Sequence, residues 1–82
     1  MKKKFSKYLI GCIGNEYLAS YSYSTSLKDA YKIYKKKIQG CIDNLDYGPF
    51  KVYIRRVDND QIIKYVDFDE NNYVHLKEVK NV

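Results

Sequence analysis

Two segments in which hydrophobic and polar positions alternate open the chain and predict a β-hairpin. Residues 5–13 and 17–24 read as its strands. Between them, Gly14 and Asn15 both tolerate positive φ, which predicts a two-residue turn of the primed type. That turn sets three pairs of residues opposite each other on the face that we assign to the core: Cys12 with Tyr17, Ile10 with Ala19, and Tyr8 with Tyr21.

The spacing of apolar residues changes from two to that of a helix after Ser26. Ser26 can cap the first turn, and Asp29, three residues later, suits the positive end of a helix. Apolar residues then form one stripe with Ala30 on its flank: Leu27, Tyr31, Tyr34, Ile38, Cys41 and Ile42. We expect the helix to end near Ile42 or Asp43, with Asn44 as its stop.

Two more strands follow the turn at Tyr47-Gly48-Pro49. They are predicted at residues 51–57 and 61–68 and are joined by Asp58-Asn59-Asp60. Loops of two, three or four residues all fit this hairpin, so its register stays open, and a slip of one residue exchanges its faces. Residues 73–79 are a candidate for a fifth strand at the edge of the sheet.

The order β-β-α-β-β, with or without the last strand, predicts a single α+β domain spanning residues 1–82. The expected architecture has two layers, with one helix packed on an antiparallel sheet of four or five strands. A chain of 82 residues has room for one modest core, which excludes a deep cavity framed by two domains.

Tyrosine and lysine dominate the composition: ten of the 82 residues are Tyr, thirteen are Lys, and none is Trp. Tyr joins an apolar ring to a polar tip, and Lys supplies a solvated positive field. The charge is uneven, because residues 1–56 carry twelve Lys or Arg against four Asp or Glu, whereas residues 57–82 carry three against six. This pattern favours binding to an acidic or phosphorylated partner over catalysis.

Lysines on the outer face of the expected helix are the first candidate for partner binding: Lys28, Lys32, Lys35 and Lys36. Their spacings of three and four place amines on successive turns, which suits a phosphate backbone or an acidic groove. A helix face that is merely solvated is the alternative interpretation.

The second hairpin supplies a second candidate surface, formed by Lys51, Tyr53, Arg55, Arg56 and Lys64. Arg55 and Arg56 are neighbours in a strand and must point to opposite faces. An Arg on the open sheet face beside Tyr53 would anchor a base, a phosphate or a carboxylate. The alternative is a cross-strand ion pair with Asp67 or another acid.

No catalytic, metal or cofactor site is expected. His75, the one histidine, has no nucleophile beside it, and Asp58-Asn59-Asp60 lacks the glycine and the terminal glutamate of a calcium loop. Cys12 and Cys41 are too few for a disulfide framework or a zinc site and are expected to be buried free thiols. No stretch approaches the roughly 20 apolar residues of a membrane span, and the apolar run 8–13 is short for a signal peptide, so we expect a cytoplasmic protein with no membrane partner.

In its length, its element order and its bias toward Lys, Tyr, Ile and Asn, the chain resembles the small accessory proteins of phages and mobile elements in low-GC bacteria. The resemblance implies a non-enzymatic inhibitor or modulator of a larger host protein or nucleoprotein complex in the host cytoplasm, as anti-CRISPR proteins are. That group has no common motif, so it assigns no residue. Direct nucleic-acid binding and capture of a small phosphorylated nucleotide are the alternatives, and a monomer and a homodimer are both open.

Overall fold

The computed structural model describes residues 6–15 and 19–73. In these ranges the elements are β1 (Tyr8–Ile13), β2 (Ala19–Ser24), α1 (Leu27–Ile42), a 3₁₀ turn (Leu45–Tyr47), β3 (Phe50–Arg56) and β4 (Ile62–Phe68). The strands form one antiparallel sheet in the order β2-β1-β3-β4, and α1 packs on one face of it. The predicted two-layer α+β fold is therefore confirmed. Apart from Tyr73, the candidate fifth strand lies outside the described residues.

Helix α1 begins where the capping pattern predicts. Ser26 has extended backbone angles, and its Oγ accepts a hydrogen bond from the amide of Asp29 at 3.2 Å. After the helix ends at Ile42, Asn44 Nδ2 donates to the carbonyl oxygen of Gly40 at 2.9 Å and so satisfies part of the last turn. No helix in the described ranges has the length and apolar character needed to cross a membrane.

The core lies between α1 and the two central strands. Ile10 of β1 and Val52 and Ile54 of β3 have no exposed surface. From the helix, Ala30, Tyr34, Ile38 and Cys41 are buried against them. Ala30, expected on the flank of the apolar stripe, is fully buried, since a small side chain there lets the helix approach the sheet closely. Leu27, expected in the stripe, is 37% exposed in the first turn.

The register predicted for the first hairpin is wrong. Cys12 pairs with Ser20, and Tyr8 pairs with Ser24, because residues 14–18 form a connection of five residues instead of two. The pairing has shifted by three, an odd number, so the two faces of β2 are exchanged. Tyr21 and Ala19, both predicted to be in the core, are exposed on the opposite face.

Serines occupy the side of β2 that faces the helix layer. The small side chains of this edge strand leave space for Lys37 of α1, whose Nζ donates to Ser20 Oγ at 2.7 Å. At the other end of the strand Ser24 is buried, and its hydroxyl is satisfied by the carbonyl oxygen of Ser26 at 2.8 Å. Ser24 is buried beside the start of the helix, where a tyrosine ring would need more space, so packing at this end of the strand favours the exchanged register.

The second hairpin has a four-residue loop, residues 57–60. The amide of Arg56 donates to Gln61 O at 2.8 Å, and the amide of Asp60 donates to Arg56 O at 3.0 Å. Asp60 has φ of 58°, in the left-handed region that Asp tolerates better than most residues. An irregularity at Ile54 and Arg55 then shifts the pairing, so that Arg55 lies opposite Ile62.

Candidate functional site on the open face of the sheet

The sheet face opposite α1, which we call the open face, carries the alternate side chains of all four strands. Several large apolar or aromatic residues of this face are exposed to solvent: Ile13, Tyr21, Tyr23, Ile62 and Tyr65. Tyr21 and Tyr65 are 55% and 57% exposed. Grouped exposed apolar side chains rimmed by polar residues are typical of an interaction site.

A row of tyrosines crosses the centre of the open face. Gly11 of β1 pairs with Tyr21 on one side and with Tyr53 on the other, and Tyr53 pairs with Tyr65. A β-carbon added at Gly11 would lie 2.4 Å from Tyr53 Cζ, so the ring of Tyr53 lies over the glycine. Burial raises the pKa of Tyr53, with a smaller contribution from Tyr21 and an opposing one from Arg55. Its hydroxyl therefore stays a hydrogen-bond donor at neutral pH.

Two shallow hollows lie on either side of Tyr53 and Arg55. Tyr53 and Arg55 line both hollows. The first hollow is also lined by Tyr21, Tyr23 and the nearly buried Leu9. The second is also lined by Lys51, Ile62 and Tyr65. The surface thus has one mainly apolar hollow, beside Ile62 and Tyr65, and one of mixed polarity, beside Tyr21 and Tyr23. Both can receive protruding side chains of a partner.

Arg55 is neutralised by a carboxylate but is not saturated with hydrogen bonds. Its Nε lies 3.8 Å from Asp60 Oδ1, beyond hydrogen-bonding distance. This nitrogen is shielded from water and has no hydrogen-bond partner among the described residues, although 37% of the side chain is exposed. A carboxylate of a partner cannot reach this buried nitrogen, but it can approach the exposed part of the planar guanidinium.

Lys51 lies at the rim of the same face. Its Nζ is 4.0 Å from Asp67 Oδ1 and 5.6 Å from the centroid of the Tyr65 ring. Both side chains of the ion pair are more than half exposed, so the pair contributes little to stability. The sequence suggested that an arginine pairs with Asp67 or another acid. In the structure Asp67 pairs with Lys51, and Arg55 pairs with Asp60.

Arg56 does not join Arg55. It points to the other side of the sheet, since consecutive strand residues alternate, and its Nε donates to Asp58 Oδ1 at 3.2 Å. This hydrogen bond raises the pKa of Arg56 and lowers the pKa of Asp58. Lys64 is exposed and pairs with the core residue Ile54, so it too lies away from the open face.

The four candidate lysines of α1 lie together on the side of the helix turned away from the sheet. Lys28, Lys32 and Lys36 are exposed, and Lys35 is half-buried. They therefore form a surface on the opposite side of the molecule from Tyr53 and Arg55. One partner surface cannot contact both groups unless it wraps around the domain.

Sequence reasoning missed Tyr21, Tyr23 and Tyr65 as parts of the site. The alternation of Tyr and Ser in β2 did separate two faces, but the assumed turn assigned Tyr21 to the core. His75 lies outside the described residues. Within 6–15 and 19–73, no three or more His, Cys, Asp or Glu side chains are grouped to hold a metal ion.

Comparison of the chain with protein-family models, with curated proteins and with solved structures found no match. The resemblance to phage accessory proteins thus stays a prediction. The chemistry of the open face is the basis on which a function can be assigned.

Proposed function

We propose that this chain is a non-enzymatic binding protein whose open face docks on a larger protein. The proposal rests on the exposed tyrosine row, in which Tyr21 and Tyr65 flank the partly buried Tyr53. Tyr and Arg are enriched at the centres of protein interfaces, because each buries a large contact area and also offers polar atoms. Arg55, whose side chain is partly exposed, is the cationic anchor beside the row.

The charges of the open face favour a protein over a nucleic acid. The two cations that line its hollows each have a carboxylate nearby: Asp60 lies 3.8 Å from Arg55 and Asp67 lies 4.0 Å from Lys51. Nucleic-acid affinity comes mainly from cations that neutralise phosphates, and these carboxylates would repel phosphates. A protein surface with an apolar centre and one carboxylate for Arg55 matches the face better.

The lysines of α1 fit a different role in the same function. They lie on the far side of the domain and do not form the interface, but at low ionic strength they add to the net positive charge that attracts an acidic partner. Replacing Lys28, Lys32, Lys35 and Lys36 with Gln should slow association and leave the dissociation rate unchanged.

The partner that we propose is a bacterial host component, either a single protein or a nucleoprotein complex such as a CRISPR effector. This part of the proposal depends on the resemblance to phage accessory proteins. An inhibitor of this kind acts by covering a surface that the host complex needs. It therefore requires a broad face with exposed aromatic and apolar side chains, and it requires no catalytic group.

The test compares tyrosines of similar exposure on the two sides of the molecule. The double variant Tyr21→Ser/Tyr65→Ser alters the open face, and Tyr47→Ser, at a position 49% exposed beside the helix, is the matched control. Wild type and variants are used to capture partners from lysate of a low-GC bacterium, with and without nuclease treatment, and the captured protein is purified for calorimetry. We expect the double variant to bind at least about thirtyfold more weakly, since an interface tyrosine contributes about 1–2 kcal/mol or more. The control should bind like wild type.

Other outcomes would contradict the proposal. Capture that nuclease abolishes, with an affinity that falls steeply as salt rises, would indicate nucleic-acid binding. Concentration-dependent dimers that the double variant breaks would make a second copy of the chain the occupant. Calorimetric binding of a phosphorylated nucleotide with no protein partner would favour the small-ligand alternative. Equal affinity of the double variant and the control would remove the open face as the site.

A further inference from the structure

The helix side of the sheet holds two thiols in contact. Cys12 of β1 and Cys41 in the last turn of α1 are 29 positions apart in the chain, and their Sγ atoms lie 2.8 Å from each other. Both are free cysteines, and they are 7% and 6% exposed. The sequence predicts two independent buried thiols, whereas docking of the helix on β1 makes them a pair.

The pair borders an open pocket that contains a cation. Lys37 lies one turn before Cys41, and its Nζ is held by Ser20 Oγ at 2.7 Å. Cys12, Ser20, Lys37, Gly40 and Cys41 are among the residues that line this pocket. A small oxidant can therefore reach the sulfur atoms from solvent through a positively charged entrance.

The two thiols differ in acidity. The pKa of Cys12 is lowered, chiefly by a hydrogen bond from Cys41 and further by the Lys37 ammonium, although burial opposes this. The pKa of Cys41 is raised, because its proton is held in that hydrogen bond and because the thiol is buried. Of the two thiols, Cys12 is thus the one that loses its proton more readily.

We propose that Cys12 and Cys41 are a peroxide-sensitive site that forms a reversible disulfide within one chain. The Cys12 thiolate attacks one oxygen of hydrogen peroxide, which breaks the O–O bond, gives Cys12 sulfenic acid and releases hydroxide. The Cys41 sulfur then attacks Cys12 Sγ, the S–O bond breaks, and the oxygen leaves as water with the thiol proton. The two thiols are oxidised by two electrons, and the peroxide is reduced to water.

Little movement is needed to form the bond. The sulfurs, 2.8 Å apart, need to approach by less than about 1 Å to reach disulfide bonding distance. The new bond ties the end of α1 to β1 and closes a large loop, which stabilises the fold mainly by restricting the unfolded chain. The open face lies on the other side of the sheet, so this site does not depend on the proposed partner.

The experiment counts thiols in the wild-type protein. The folded chain is treated with a small excess of hydrogen peroxide, catalase removes the excess, and the chain is then unfolded in guanidinium with N-ethylmaleimide for intact-mass measurement. We expect a monomer that lacks two hydrogens and carries no maleimide. Reduction with dithiothreitol should restore two maleimide adducts. The thermal unfolding midpoint of the oxidised chain should rise by roughly 10 °C or more.

Variants of the two cysteines test whether the disulfide causes the stabilisation, and variants of Lys37 test the effect of its charge on the oxidation rate. Cys12→Ser and Cys41→Ser should show no rise in the unfolding midpoint after peroxide. Lys37→Gln should slow oxidation severalfold, and Lys37→Arg, which keeps the charge, should oxidise at close to the wild-type rate. Two maleimide adducts after peroxide, a disulfide between two chains, or oxygen added to one sulfur without a disulfide would overturn the proposal. The thiol count uses the wild-type chain, so it tests the proposal even if a variant does not fold.

Discussion

The ring of Tyr53 fills the space above Gly11 in the middle of the open face. A β-carbon on residue 11 would come within 2.4 Å of Tyr53 Cζ and 2.5 Å of its hydroxyl oxygen. Glycine inside a strand weakens that strand, and it commonly marks a close approach by another group. The close approach here is by a side chain on the neighbouring strand, so Gly11 sets the position of the central residue in the tyrosine row.

Replacing Gly11 with Ala should displace the Tyr53 ring. Because the contact is with the far end of a side chain, the ring turns aside while the backbone stays in place, and we expect a cost of about 1 kcal/mol in the free energy of unfolding. Urea unfolding measures the cost, and nuclear Overhauser effects between the ring and residue 11 report the displacement. The loss in free energy of unfolding for the double variant Gly11→Ala/Tyr53→Ala should be smaller than the sum of the losses for the two single variants. Additive effects would show that the two residues do not interact.

The same substitution at Gly40 should have the opposite effect. Gly40 is exposed within α1, and an added β-carbon meets no atom within 4 Å. Ala restricts the unfolded chain and favours the helix, so Gly40→Ala should raise the free energy of unfolding by up to about 1 kcal/mol. Urea unfolding beside the Gly11→Ala variant checks the sign. A loss of stability would mean that the last turns of α1 are not regular helix.

Alkaline pH should destabilise the fold through Tyr34. Burial, with Tyr31 nearby, raises the pKa of Tyr34 from 10.0 to about 12. Between pH 10 and pH 12 the unfolded chain loses this proton more readily than the folded chain, so the free energy of unfolding falls as pH rises. Below pH 10 the hydroxyl is neutral in both states and its contribution is complete.

The measurement is urea unfolding of wild type and Tyr34→Phe from pH 9 upward. The wild type should lose up to about 3 kcal/mol more than the variant across this titration. Parallel pH profiles for the two proteins would contradict the inference that Tyr34 is neutral and buried in the fold.

Two isoleucines on the second hairpin test its register. Ile54 has no exposed surface, whereas Ile62, across from Arg55, is 47% exposed on the open face. Ile54→Ala should therefore cost about 2–5 kcal/mol in the free energy of unfolding, and Ile62→Ala less than about 1 kcal/mol. If the proposed function is right, Ile62→Ala should instead weaken partner binding. Similar stability losses at both positions would show that the hairpin is paired differently.

The sequence by itself determined the element order, the bounds of α1 and the fold class. These depend on local signals: the period of apolar positions, the cap at Ser26 and the turn residues near Pro49. The candidate lysines of α1 follow from the same helical period. Such signals are short-range, since each residue interacts with neighbours a few positions away in the chain. They can be recognised without knowing which other elements pack against the segment.

Ile10 and Cys12 of β1 are buried as the sequence predicted, but only the tertiary structure decided which face of β2 meets the helix. Gly14-Asn15 favours a two-residue turn locally, but Ile13 pairs with Ala19, so that the serines of β2 face the helix layer and Ser24 is buried there. Because strand side chains alternate with a period of two, that odd shift moved Tyr21 from the predicted core to the open face. The same docking brought Cys12 and Cys41 together. Register and distant contacts depend on the summed packing energy of several elements, and no local stretch of the chain carries that information.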